Sequence, residues 1–84
     1  MASLVIRITR RILRVTPTVT RNDAMRIAMD YCAGVGWPWR LPVYVEEGVL
    51  EYYLMTNADM KGANVNIRVS VTDGKIVAAA FARR

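Results

Sequence analysis

The spacing of apolar residues changes from a helical period of about 3.6 to a strand period of 2 midway along the chain, which places helix before sheet. Between Arg21 and about Ala33, the residues Ala24, Met25, Ile27, Ala28, Met29, Tyr31 and Cys32 make a broad apolar side. Asn22, Arg26 and Asp30 make the polar one. Thr20 is placed to cap this helix, with Asp23 three residues on as its reciprocal partner, and Asp30 follows Arg26 by four as a supporting ion pair. Gly34 and Gly36 close the helix. The connector Gly36-Trp37-Pro38-Trp39-Arg40-Leu41-Pro42 cannot prolong it, because its prolines lack the N–H a helix needs.

From Val43 onward the alternation predicts two hairpins. With Glu47-Gly48 as a two-residue loop, Val45 faces Leu50 and Val43 faces Tyr52. Val43, Val45, Leu50, Tyr52 and Leu54 then share one side, and Tyr44, Glu51 and Tyr53 the other. Asp73-Gly74 is the stronger turn signal, because a type I′ turn needs positive φ at both central positions. Its register pairs Val71 with Ile76, Val69 with Ala78 and Ile67 with Ala80. Val65, Ile67, Val69 and Val71 thereby join Ile76, Ala78, Ala80 and Ala82 on one face, opposite Asn64, Asn66, Arg68, Ser70 and Thr72.

The expected fold class is α+β: one main helix packed on a four-stranded antiparallel meander of two hairpins, with an N-terminal basic helix or strand. Ala78 and Ala80 are expected to leave room for the close approach of Ala24, Ala28 and Cys32. The far side of the sheet would expose Tyr44, Tyr53, Val77, Ala79 and Phe81, an apolar patch on the scale that marks an interface. Either the N-terminal segment or another subunit is expected to cover it.

The N-terminal segment fits two elements. As a helix, Leu4 to Val15 places Arg7, Arg10, Arg11 and Arg14 in one sector, with Leu4, Val5, Ile8, Ile12 and Val15 beside it. As a strand, it has many β-branched residues and a short alternation of Leu4, Ile6 and Ile8 that Arg10 breaks. Thr16-Pro17 ends either one. Residues 1–16 are therefore a basic amphipathic N-terminal segment, and residues 17–84 a single α+β domain.

Composition narrows the function more than it defines it. Eighty-four residues form one small domain, and the net charge of +5 is concentrated at one end. Arg7, Arg10, Arg11, Arg14 and Arg21 precede any acid, whereas the chain after them carries seven basic and seven acidic residues. With no histidine, Ser-His and Cys-His catalysis and histidine-ligated zinc are excluded. A single cysteine excludes an internal disulfide. No apolar run reaches the length of a spanning helix, and arginines interrupt the stretch a secretory signal would need. The compartment stays open, with the cytoplasm favoured.

Candidate chemistry is thin. Asn57-x-Asp59-x-Lys61-Gly62 imitates the start of a calcium loop, but Lys61 and Arg68 stand where two oxygen ligands belong. Asn57 and Asp59 are expected to form turns instead. Glu46, Glu47 and Glu51 lie at a turn or on an outer face, and Cys32 sits on the apolar side of the helix, so no catalytic residue, metal or cofactor is expected. Trp37 and Trp39 serve either as binding anchors or as the closure of one end of the core.

The pattern Ala24-x-x-Ile27-Ala28, Gly36-Trp37, Pro42-Val43-x-Val45, Thr56-Asn57-Ala58-Asp59-x-x-Gly62-x-Asn64-Val65 and Asp73-Gly74-Lys75-Ile76-Val77 resembles PepSY-like domains and related small immunity-type proteins. The resemblance spans about residues 20–82. It implies binding or inhibition of a protein partner and carries over no catalytic residue.

The expected function is that of a non-enzymatic binding module acting through protein–protein contacts. Its partner surface would be Trp37, Trp39, Tyr44, Tyr53, Val77 and Phe81, and its partner another protein or a second copy; no small-molecule substrate is evident. The alternative is a nucleic-acid or anionic-membrane binder that uses Arg7, Arg10, Arg11 and Arg14 as its anion-binding groups. A solvated arginine face and an organelle presequence are competing readings of the same segment.

Overall fold

The computed structural model describes residues 3–82, so the outermost residues of the expected segments 1–16 and 17–84 lie outside the described residues. The N-terminal segment is helical: α1 spans Leu4–Leu13. Ser3 caps it by accepting the N–H of Ile6 at 3.2 Å. It ends before proline is reached, at a left-handed Arg14 with φ 58°, where the Val15 N–H donates back to the Arg10 carbonyl at 2.7 Å.

The second helix, α2, spans Arg21–Val35. Its capping box forms as the sequence requires, with Thr20 and Asp23 exchanging side-chain and backbone hydrogen bonds. Gly34 lies inside the helix, and Gly36 at φ 79° ends it. Arg26 pairs backwards with Asp23 at 3.3 Å, rather than forwards with Asp30, because Asp23 is already fixed by the cap.

Four strands follow as an antiparallel meander in the order β1-β2-β3-β4: Tyr44–Glu47, Glu51–Met55, Asn64–Ser70 and Ile76–Ala82. The helix α2 lies over β1, β2 and β3, with Ala24, Ala28 and Cys32 fully buried against the sheet. Val45, Tyr52, Leu54, Val65, Ile67, Val69 and Val71 complete the core from the sheet side. The small helix residues allow close approach, as the sequence suggested, but their counterparts are valines and Leu54 rather than Ala78 and Ala80.

Both hairpin registers depart from expectation, and tertiary demands explain each. In the first, Val45 pairs with Leu54 and Glu47 with Tyr52, a four-residue shift that preserves which side each residue faces. Residues 48–50 leave the ladder because their carbonyls are used elsewhere: Gly48 and Val49 accept Arg10, and Leu50 accepts the Val71 N–H at 3.0 Å. Leu50, expected inside, is exposed.

In the second hairpin, Val71 is withdrawn in the same way. Its carbonyl accepts the N–H groups of Thr18 and Val19, so it cannot pair with Ile76, and Val69 pairs with Ile76 instead. The register then slips by one between Arg68 and Val69, leaving Val77 as an extra residue on β4. That bulge reverses β4. Ala79 and Phe81 turn to the helix side, while Ala78 and Ala80 turn to the open face. The size of Phe81 gives the reason, since it reaches Trp37 with ring centroids 6.0 Å apart and closes the end of the core.

These positions set the cost of substitution. Ala80→Leu, which would overpack α2 if Ala80 faced it, is expected to change the unfolding free energy of the monomeric chain by less than about 0.5 kcal/mol. Phe81→Ala is expected to cost about 2 kcal/mol, less than the 3–5 of a fully buried phenylalanine. Denaturant unfolding of the two variants checks the reversal of β4 directly.

Candidate functional site

The helix α1 is mounted with its aliphatic side outward. Leu4, Val5 and Ile12 are 67%, 73% and 74% exposed, and Ile8, in the same sector, is about half exposed. The side turned to the body carries half-buried Ile6 and Thr9 and, at 3% exposure, Arg10. This inverts the usual arrangement, in which a surface helix buries its apolar stripe.

Arg10 explains the inversion. Its Nη1 donates to Glu47 Oε2 at 2.7 Å, its Nη2 to the Gly48 carbonyl at 2.8 Å and its Nε to the Val49 carbonyl at 2.8 Å. A planar guanidinium matches this fork of acceptors, whereas an ammonium could not span it. A buried charge held by one carboxylate and two carbonyls is satisfied, and removing either partner would leave the other stranded. Arg10 is therefore structural, and the expectation that it belongs to an anion-binding set is corrected: its guanidinium is committed to the β1–β2 turn.

Arg7, Arg11 and Arg14 remain exposed. Together with Arg10, Val15, Thr16 and Pro17 they line an open hollow of about 410 Å³ beside the helix. The sequence thus located the basic cluster correctly but not its division into one internal and three external members. The spacing along α1 carried no signal for that division, because Leu13, three residues after Arg10, is itself exposed.

The six residues expected to form one partner surface are distributed over three places. Tyr44 and Tyr53 are exposed on the open face of the sheet. Trp37 and Phe81 lie at the end of the core on the helix side, with Tyr31 edge-on to Trp37 at 5.8 Å, and Trp39 packs partly buried against the same core. Val77 is exposed at the bulge of the outermost strand β4. The expected single surface is therefore corrected: the core needs the large rings that close it, and the bulge moves Phe81 away from the tyrosines.

What the open face does form is a groove of about 510 Å³, with Tyr44, Tyr53 and Met55 on one side and Ala78 and Ala80 on the other. Arg68, which the sequence placed only as a polar strand residue, organises it. Its guanidinium lies 5.0 Å from the centre of the Tyr53 ring and 3.8 Å from Glu51. The lining comes from strands alone, so α1 does not cover this face.

The remaining candidates are accounted for within the fold. Asn64, expected on the outer face, is buried and holds the 56–64 loop. Its Nδ2 donates to the carbonyls of Thr56 at 2.8 Å and Asn57 at 2.9 Å, and its Oδ1 accepts the Gly62 N–H. Asn57 adopts φ 51° there, in keeping with the turn expected of it. Burial pushes the Cys32 thiol and the Tyr52 hydroxyl up, and the latter donates to the Val19 carbonyl at 2.7 Å. Hydrogen bonds from the Thr20 backbone and side chain hold the Asp23 carboxyl below the usual carboxylate range. Among the described residues no three His, Cys, Asp or Glu side chains gather as a metal site, and no helix is long and apolar enough to cross a membrane. Comparison with protein-family models, with curated proteins and with solved structures gives no match.

Two outcomes follow from these placements. Arg10→Ala is expected to lower stability by about 2 to 3 kcal/mol, and amide exchange should show residues 4–13 losing protection first; Arg10→Lys should recover less than half of the loss. Cys32 should resist thiol reagents at pH 8 in the folded protein and react once denaturant is added, because the buried thiol forms little thiolate.

Proposed function

We propose that the chain is a non-enzymatic interaction module whose docking element is α1, held out from a rigid α+β body. One observation carries this reading: five aliphatic residues of α1, Leu13 among them, face solvent while the helix spends a buried arginine on its own attachment. Exposing that side costs hydrophobic free energy, roughly 25 cal/mol per Å² of apolar area, which docking into an apolar groove would recover. The i, i+4, i+8 spacing of Leu4, Ile8 and Ile12 is the anchor pattern by which such helices are read. The resemblance to PepSY-like domains, which implies binding or inhibition of a protein partner, points the same way.

A second reading has its own observation. Arg7, Arg11 and Arg14 border a hollow beside the aliphatic side, a combination that suits phosphates of nucleic acid or of an anionic lipid surface. It differs in its dependence on salt, since phosphate contacts weaken steeply between low and moderate ionic strength and apolar docking does not.

Site-specific photo-cross-linking tests the proposal in cells that make the protein. With a benzophenone amino acid at Ile8, discrete protein adducts are expected, and none with the same group at exposed Asp30. Adducts only to nucleic acid or lipid would favour the second reading. No adduct at Ile8 would refute the docking role of α1.

A further inference from the structure

The body carries two surfaces that the described residues leave open, and they are complementary. One is the convex aliphatic side of α1, with Leu4, Ile8 and Ile12 along it and Arg7 and Arg11 at its flank. The other is the groove on the open sheet face, floored by Ala78 and Ala80 and bordered by Tyr44 and Tyr53. Resting on the docking role of α1, we infer that its partner is a second copy of this chain, with α1 of each copy seated in the groove of the other.

Charge supports this occupant over others. The helix α1 contains no acid, and with Arg10 neutralised by Glu47 it presents Arg7 and Arg11 outward. Among the described residues the sheet face presents Glu46 and Glu51 and one cation, Arg68, which is already drawn to Glu51 and to the Tyr53 ring. A basic helix therefore meets a face whose described residues are net negative, which favours this pairing over helix against helix or groove against groove. The layer rule agrees. A sheet covered on one face by α2 lacks a second layer, and a helix with an uncovered apolar stripe lacks a sheet, so one exchange supplies both. The exchange is taken as reciprocal between the same two copies, so that the contact is made twice about a two-fold axis and closes at a dimer. Ala78 and Ala80 have a role here that they lack under α2, since small side chains keep the groove open for Ile8 and Ile12.

Sedimentation velocity of the full chain over a range of concentrations tests this, with vesicles of phosphatidylglycerol in phosphatidylcholine as a separate arm. The wild-type chain should sediment as a dimer. Ile8→Asp on α1 and Ala80→Arg in the groove should each weaken association by at least about 30-fold, with circular dichroism unchanged because both positions are exposed. Mixing the two variants should restore a dimer, since one intact helix then meets one intact groove. A monomer at every concentration, a dimer indifferent to Ile8→Asp, or a mixture that stays monomeric would each overturn the inference. A monomer that still cross-links to another protein through Ile8 would end the second-copy assignment and leave the docking role of α1 standing. Monomers that bind the anionic vesicles would assign the helix to lipid instead.

Discussion

The Arg10 guanidinium is the contact on which the arrangement of this protein turns. Three of its N–H groups are bound by acceptors at the β1–β2 turn, which fixes the rotation of α1 about its own axis. Rotation in turn decides which residues face water. A helix with aliphatics in one sector and arginines in another would ordinarily bury the aliphatics; here a single well-satisfied charge outweighs them. The same contact reaches into the sheet. By taking the carbonyls of Gly48 and Val49, it removes those residues from the ladder and fixes where the first hairpin begins to pair.

Much of the architecture was legible in the sequence because it depends on local chemistry. Thr20 and Asp23 specify a capping box within four residues, and the alternation of Val65, Ile67, Val69 and Val71 specifies a buried side for β3 wherever its partners fall. The order of strands follows from short connections. Registers were less legible because they were set by residues distant in sequence. Arg10 acts on Gly48 and Val49 from 38 and 39 positions away, and Val71 is held by Thr18 and Val19 across the molecule. The two-residue turns that Glu47-Gly48 and Asp73-Gly74 favour locally yielded to these longer-range demands.

The site shows the same division. Composition identified the arginine cluster and the tyrosines of the open face. It could not separate Arg10 from its neighbours, since burial of an arginine depends on acceptors that only the folded turn supplies. Nor could it place Phe81, whose side of the sheet was reversed by one extra residue at Val77. Asn64 was hidden for a related reason: an asparagine in an alternating strand reads as an outward polar residue, yet its amide binds three loop carbonyls.

The bulge at Val77 has an effect beyond the placement of Phe81. Ile76–Ala82 is an outermost strand of seven residues without a charge, a glycine or a proline, the composition that invites endless strand addition and fibril growth. A flat edge of that kind would be a hazard at cellular concentrations. The irregular residue breaks the repeat that an incoming strand must match and twists the edge away from it. One extra valine thereby gives this edge an irregularity that guards it against strand addition.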